Sequence, residues 1–132
     1  MQKLFVDTSA WFAFSYAKDP DHARVMEFLR EFRGELLTSN FVLDELVTLV
    51  LTRAGHSPAV KIGDHLRNPT VVTLIWVTQE DEEKAWNFFQ RMKDKTYSFT
   101  DCTSFILMKR LQVSNVLSLD VHFEQAGFQR VP

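Results

Sequence analysis

Hydrophobic and polar positions alternate between two regimes along the chain. Short, nearly unbroken apolar runs at Leu4-Phe5-Val6, Leu36-Leu37, Thr70 to Val77 and Val116 to Leu119 have the length and β-branched character of buried strands. Longer stretches between them place apolar residues at helical spacing. One runs through Trp11, Phe12 and Phe14, a second through Ala23, Met26, Phe28, Leu29 and Phe32, and a third from Phe41 to Leu51. Another spans Phe105 to Leu111. The punctuation agrees with this reading. Thr8 and Ser9 are expected to cap the first helix, Asp19-Pro20 to open the second and Gly34 to close it. Thr38-Ser39 open and Gly55 closes the third, and Ser57-Pro58 and Asn68-Pro69 bracket a fourth. Thr78 caps a fifth, whose acidic Glu80 to Glu83 complement the positive helix end, and Ser98 to Asp101 introduce a sixth. Phe128 to Val131 supply a last edge strand. Strands alternating with helices in this way predict an α/β fold, a three-layer α/β/α sandwich around a central, mainly parallel sheet. Right-handed crossovers then bring all strand C-termini to one edge.

That edge is where the candidate chemistry falls. Asp7 and Asp120 each end a predicted strand, and ligands of open parallel sheets bind beyond the strand carboxyl ends. Asp101 lies in the first turn of a helix that starts on the same edge, and Glu45, about two turns into another, can lean back toward its N-terminus. Taken singly, each acid has a structural reading as a cap or turn residue. Glu45 is the most telling of them, because it interrupts a face made of Phe41, Val42, Leu46 and Leu49, where an unpaired carboxylate costs several kcal/mol. Asp44 is expected on the solvated side. Four carboxylates in one pocket, with no Lys or Arg in a motif-like position beside them, call for a cation. An all-oxygen site suits Mg²⁺ or Mn²⁺, and with them phosphate chemistry.

Composition narrows the classes. At 132 residues, 45% of them hydrophobic, the chain is expected to form one domain over residues 1–132 with an ordinary core. No apolar run approaches the ~20 residues of a membrane span, and the single cysteine, Cys102, has no thiol partner, so a cytoplasmic protein is expected. Lys plus Arg number 15 against 17 Asp plus Glu, a net charge of −2, which excludes a histone-like polycation. Arg53, Lys61, Arg67, Lys109 and Arg110 remain candidates for the rim of a substrate groove. Trp11, Trp76 and Trp86 are read as packing or subunit contacts, and His22, His56 and His65 as surface residues.

Four short segments, in order, resemble the motifs of PIN-domain nucleases, and especially the ribonuclease toxins of VapBC toxin-antitoxin pairs. They are Leu4-Phe5-Val6-Asp7-Thr8-Ser9, Thr38-Ser39 leading to Glu45, Ser98-Phe99-Thr100-Asp101, and Ser118-Leu119-Asp120-Val121-His122-Phe123, closed by Ala126-Gly127-Phe128. The resemblance implies an endoribonuclease that hydrolyses RNA phosphodiester bonds, with Asp7, Glu45, Asp101 and Asp120 as catalytic and metal-binding residues around Mg²⁺. It implies supporting roles for Thr8 and Ser118, a homodimer, and a cognate antitoxin as partner. His122 is read as locking the loop after Asp120 rather than as base or ligand. Two other carboxylate-rich α/β classes fit less well. A receiver domain needs an acidic pair after the first strand and a Lys after the last, and an aspartyl phosphatase needs a second Asp where Ser9 stands. A non-catalytic PIN-like module that binds RNA or protein is the remaining alternative.

Overall fold

The computed structural model describes the whole chain, Met1–Pro132. Its elements run β1 (Lys3–Val6), α1 (Thr8–Ser15), α2 (His22–Glu31), β2 (Glu35–Ser39), α3 (Asn40–Ala54), α4 (His56–Leu66), β3 (Thr73–Ile75), α5 (Gln79–Arg91), α6 (Phe99–Leu111), β4 (Asn115–Leu117), α7 (His122–Gln125) and β5 (Gln129–Val131). The five strands form one all-parallel sheet in the order β3-β2-β1-β4-β5. With right-handed crossovers, the two connections that lead from β1 outward to β3 put α1 to α4 on one face. The connections that lead back to β4 and on to β5 put α5 to α7 on the other. Burial on both faces explains why β1 and β4 read as apolar runs rather than as alternating strands. Phe5, Val6, Val116 and Leu117 are fully buried, and they join Trp11 and Leu46 on one side and Phe105 and Phe123 on the other in a single core.

Several boundaries differ from those the sequence predicts, each for a local reason. Asp7, not Thr8 or Ser9, is the cap of α1, its carboxylate accepting from the Thr8 N–H at 2.7 Å. Asp19-Pro20 makes a turn, with Asp19 Oδ1 accepting from the Asp21 N–H at 2.8 Å, so α2 starts two residues later at His22. Gly34 does not close α2, which ends at Glu31. It lies where the chain enters β2, and a Cβ there would sit 2.3 Å from the Gln2 carbonyl oxygen. Only three residues of the Thr70 to Val77 run are strand. Asn68 ties up the first part in a turn, accepting from Thr70 and from the Val71 and Val72 N–H groups, and Asn40 takes the Val77 N–H at 2.7 Å. Strand β4 ends at Leu117, so Asp120 lies in the turn beyond the strand rather than on its last residue. Gly55 does close α3 as expected, at φ 101°.

Candidate active site

Strand β1 is flanked by β2 on one side and β4 on the other. Because the connection after β1 and the connection after β4 run over opposite faces, the gap between these two strands is the topological switch point where open α/β sheets form a crevice. Asp7 is the first residue past β1, and its N–H continues the ladder by donating to the Leu117 carbonyl at 3.1 Å. Asp7 is 4% exposed, and both its carboxylate oxygens are hydrogen-bonded. Oδ1 accepts from the Thr8 N–H, and Oδ2 accepts from Ser9 Oγ at 2.9 Å and Ser118 Oγ at 2.8 Å. Each serine is fixed in turn, Ser9 Oγ accepting from the Leu119 N–H and Ser118 Oγ from the Asp120 N–H, both at 3.0 Å. The two hydroxyls thus sew the turn after β1 to the turn after β4. Burial pushes the Asp7 carboxyl up to about 6, the Asp101 charge adds to this, and the bonds from Ser118, Ser9 and Thr8 only partly offset it.

Asp101 sits on the third residue of α6 in a reciprocal cap. Its N–H donates to Ser98 Oγ at 2.9 Å and its Oδ2 accepts from the Ser98 N–H at 3.0 Å. Asp120 Oδ1 accepts from the His122 N–H at 3.0 Å. Between the two acids stands the His122 ring, its Nδ1 at 2.8 Å from Asp101 Oδ2 and 3.2 Å from Asp120 Oδ2. Glu45 projects from α3 with Leu49 one turn behind it, and makes no hydrogen bond or ion pair; Asp44 beside it is exposed, as expected. All four acids line one cleft of about 290 Å³, together with Thr8, Ser9, Leu49, Thr96, Ser98 and His122.

No Lys or Arg lines this cleft. The Thr8 hydroxyl, buried on its wall, has no hydrogen-bond partner. An orphaned hydroxyl beside oxygen donors, several of them with lone pairs to spare, fits a hard divalent cation and its water better than any other ligand class.

The basic residues expected at the rim are elsewhere. Arg110 grips Asp81 at 2.9 and 3.0 Å, Arg53 lies over the Phe12 ring and Lys109 over Phe88, while Lys61 and Arg67 border other grooves. His65, expected at the surface, is only partly exposed. It packs against Trp11 and Phe14, and burial lowers its pKa. Trp11 is core, whereas Trp76 and Trp86 are 66% and 51% exposed. Sequence reasoning missed Ser9, Thr96 and Ser98 as walls of the cleft. The signal for Ser9 was its position two residues after Asp7, within hydroxyl reach of the carboxylate it follows.

Fold and cleft together define an open, all-parallel α/β protein with a carboxylate site at its switch point. The chain belongs to the PIN domain family, whose pattern it matches over residues 4–129. It is 38% identical over 128 residues to the 23S rRNA-specific endonuclease VapC20 of Mycobacterium tuberculosis, covering 97% of each chain. The crystal structure of that protein, described as a Sarcin-Ricin loop cleaving toxin, superposes with a TM-score of 0.93 over 97% of this chain and 98% of that one. Ribonuclease VapC26 of the same organism is 28% identical over 117 residues, 89% of this chain and 86% of its own. The fold also matches VapBC2 from Rickettsia felis bound to a DNA fragment from its promoter, with a TM-score of 0.72 at 10% identity over 98% of both chains.

Proposed function

We propose that the protein is a Mg²⁺-dependent endoribonuclease and the toxin of a toxin-antitoxin pair. The observation that carries this reading is the convergence of Asp7, Glu45, Asp101 and Asp120, from four separate segments, on one cleft that no basic side chain neutralises. The likeness to VapC20 and VapC26, whose names state ribonuclease action, supports the choice of RNA. Mg²⁺, with Mn²⁺ able to replace it, is the cation such a site favours. Held there, the cation would activate water and stabilise the leaving oxygen of a phosphodiester.

The chain's own groups supply the rest. Asp7, Glu45, Asp101 and Asp120 would offer the ligand oxygens, and one of these carboxylates would accept the single proton that the attacking water gives up. Thr8 presents its free hydroxyl to the cation or its water. Ser9 and Ser118 hold Asp7 by fixed donors, so little reorganisation is needed when a charged ligand arrives. An antitoxin that covers the cleft with a cationic side chain would silence it by replacing the metal's charge.

A homodimer is part of the proposal. Trp11 is internal, and the exposed apolar side chains that share a groove are Leu51, Val60 and Trp76, at the α3–α4 face. The nuclease reading is tested with purified protein, RNA and Mg²⁺, in parallel with excess chelator and with Asp7→Asn. Cleavage that needs the metal and is lost in the variant is expected. Equal cleavage in chelator, by protein free of contaminating nuclease, would overturn it.

A further inference from the structure

We propose that His122 is a positioning residue: its Nδ1–H donates to Asp101 and stands 3.2 Å from Asp120, its backbone N–H holds Asp120, and together they keep the two carboxylates at the separation the cation requires. This rests on the reading of the cleft as a metal-dependent nuclease site. The two acids come from segments with no covalent reason to meet, one at the start of α6 and the other in the turn after β4. Their like charges oppose the meeting. What lies between them is one ring nitrogen, 2.8 Å from Asp101 Oδ2 and 3.2 Å from Asp120 Oδ2.

With no cation between them, a nitrogen facing two carboxylate oxygens carries a proton, since a bare lone pair there would be repelled by both. The other ring nitrogen, Nε2, is 3.2 Å from Thr96 Oγ1, a hydroxyl that can donate to it and so fix the Nδ1–H tautomer. The Tyr97 ring, edge-on at 5.5 Å, sets the plane of the imidazole. The His122 backbone N–H donates to Asp120 Oδ1, so one residue reaches both acids, Asp101 through its ring and Asp120 through its main chain. With Nδ1 donating and Nε2 accepting, no lone pair remains to ligate a metal or to take a proton from water. Asp101 Oδ1, by contrast, has no protein donor and is left for the cation. The imidazole thus acts through the acids, as outer-shell partners of metal ligands do.

The test compares three substitutions. Asn places an amide N–H near the position of Nδ1, Gln places one near Nε2, and Ala has neither. For His122→Gln and His122→Ala we expect metal affinity to fall about 10- to 100-fold. It is read as a weaker Mg²⁺-induced rise in melting temperature and a higher Mg²⁺ concentration for half-maximal RNA cleavage. His122→Asn should stay within a few-fold of the parent. Equal behaviour of all three, or rescue by Gln instead of Asn, overturns the proposal. Loss in Asn as great as in Ala also overturns it, because the imidazole would then be a ligand in its own right. An independent readout needs neither metal nor RNA: the ¹⁵N spectrum of the His122 ring should show a protonated Nδ1 and a bare Nε2, and the opposite neutral tautomer defeats the inference. A parent protein with no metal response and no RNA cleavage, yet with the expected tautomer, would sink the nuclease reading while leaving the positioning contacts in place.

Discussion

Helices α5 and α6 begin with the same device and put it to different uses. Each opens on a hydroxyl residue with an Asp three positions later, Thr78 with Asp81 and Ser98 with Asp101. In both, the hydroxyl takes the Asp N–H and the Asp carboxylate takes the N–H of the capping residue. Both acids are buried, at 3% and 7% exposure. The difference lies in what faces the carboxylate. Asp81 meets the fork of Arg110, which also reaches the Trp76 carbonyl, and the set is closed. Asp101 meets the charge of Asp7, the His122 ring and a cleft that also holds Glu45 and Asp120. Burial alone would raise the Asp81 pKa, but the bonds from Arg110 and Thr78 outweigh it and hold the carboxyl below its ordinary value. A local motif therefore tells where a helix starts; the charges brought to it from elsewhere in the fold tell whether its acid is a strut or a tool.

The largest test of that contrast exchanges the acids for amides. Asp101→Asn should lower metal-dependent RNA cleavage by about a hundredfold or more, since it removes a ligand charge where the transition state needs it. It should also shrink the Mg²⁺-induced rise in melting temperature. Asp81→Asn should leave cleavage and metal response unchanged and destabilise the fold instead. Breaking a buried pair costs several kcal/mol, but Arg110 is 43% exposed and regains water, so the loss should be about 1 to 2 kcal/mol. Cleavage assays and melting curves on both variants decide the matter. Equal loss of activity in the two would mean that Asp101, too, is only a cap.

Next in size is a difference in the sign of pH dependence. The folded pKa of Asp7, about 6, lies above its unfolded value of 3.8. Its contribution to stability is therefore greatest where both states are protonated, below about pH 4, and is lost as the pH rises to about 6; the full loss is on the order of 3 kcal/mol. Asp81 behaves in the opposite sense. Its depressed pKa stabilises the fold above the unfolded value and stops doing so as the pH falls through the folded one. Without metal, Asp7→Asn should therefore melt higher than the parent at pH 7.5, with an advantage that shrinks toward pH 4, while Asp81→Asn melts lower at pH 7.5 and approaches the parent in acid. Adding Mg²⁺ should reverse the order of Asp7→Asn and parent at pH 7.5. An Asp7→Asn variant less stable than the parent throughout would show that its three hydrogen bonds, not its desolvated charge, dominate.

How far the sequence reached follows the same division. The sheet, its parallel sense and the meeting of the four acids were legible, because strand-helix alternation and crossover handedness fix where strand ends go. The helix starts at Thr78 and Ser98 were legible from their own spacing. What the chain could not reveal locally were contacts across long separations. Arg110 resembled a free cation until Asp81, 29 residues earlier, was found on it, and the Ser118 hydroxyl reaches Asp7 across 111 residues. The starts of α1 and α2 were misplaced for another reason: each segment offers several capping residues in a row, and the Ser118 bond to Asp7 and the local turn that Asp19 makes with the Asp21 N–H choose among them.

The smallest expected effect separates cap from site most cleanly, because it removes the same atom from both helices. Thr78→Ala and Ser98→Ala each delete the hydroxyl that takes the Asp N–H, and each should cost about 1 kcal/mol. In both, the Asp carboxylate keeps its bond to the capping N–H, so neither helix start should be lost. At α5 the effect ends there, because Arg110 still holds Asp81 on two oxygens. At α6 the freed backbone loosens a carboxylate whose other partner is His122 and whose neighbours repel it, so a few-fold loss in cleavage at sub-saturating Mg²⁺ should accompany the same loss of stability, and excess Mg²⁺ should restore the rate. Paired melting curves and Mg²⁺ titrations of the two variants measure this. If Thr78→Ala produced the same Mg²⁺-reversible defect, the metal response would be reporting general loosening of the fold, and the assignment of Asp101 to the cleft would lose its support.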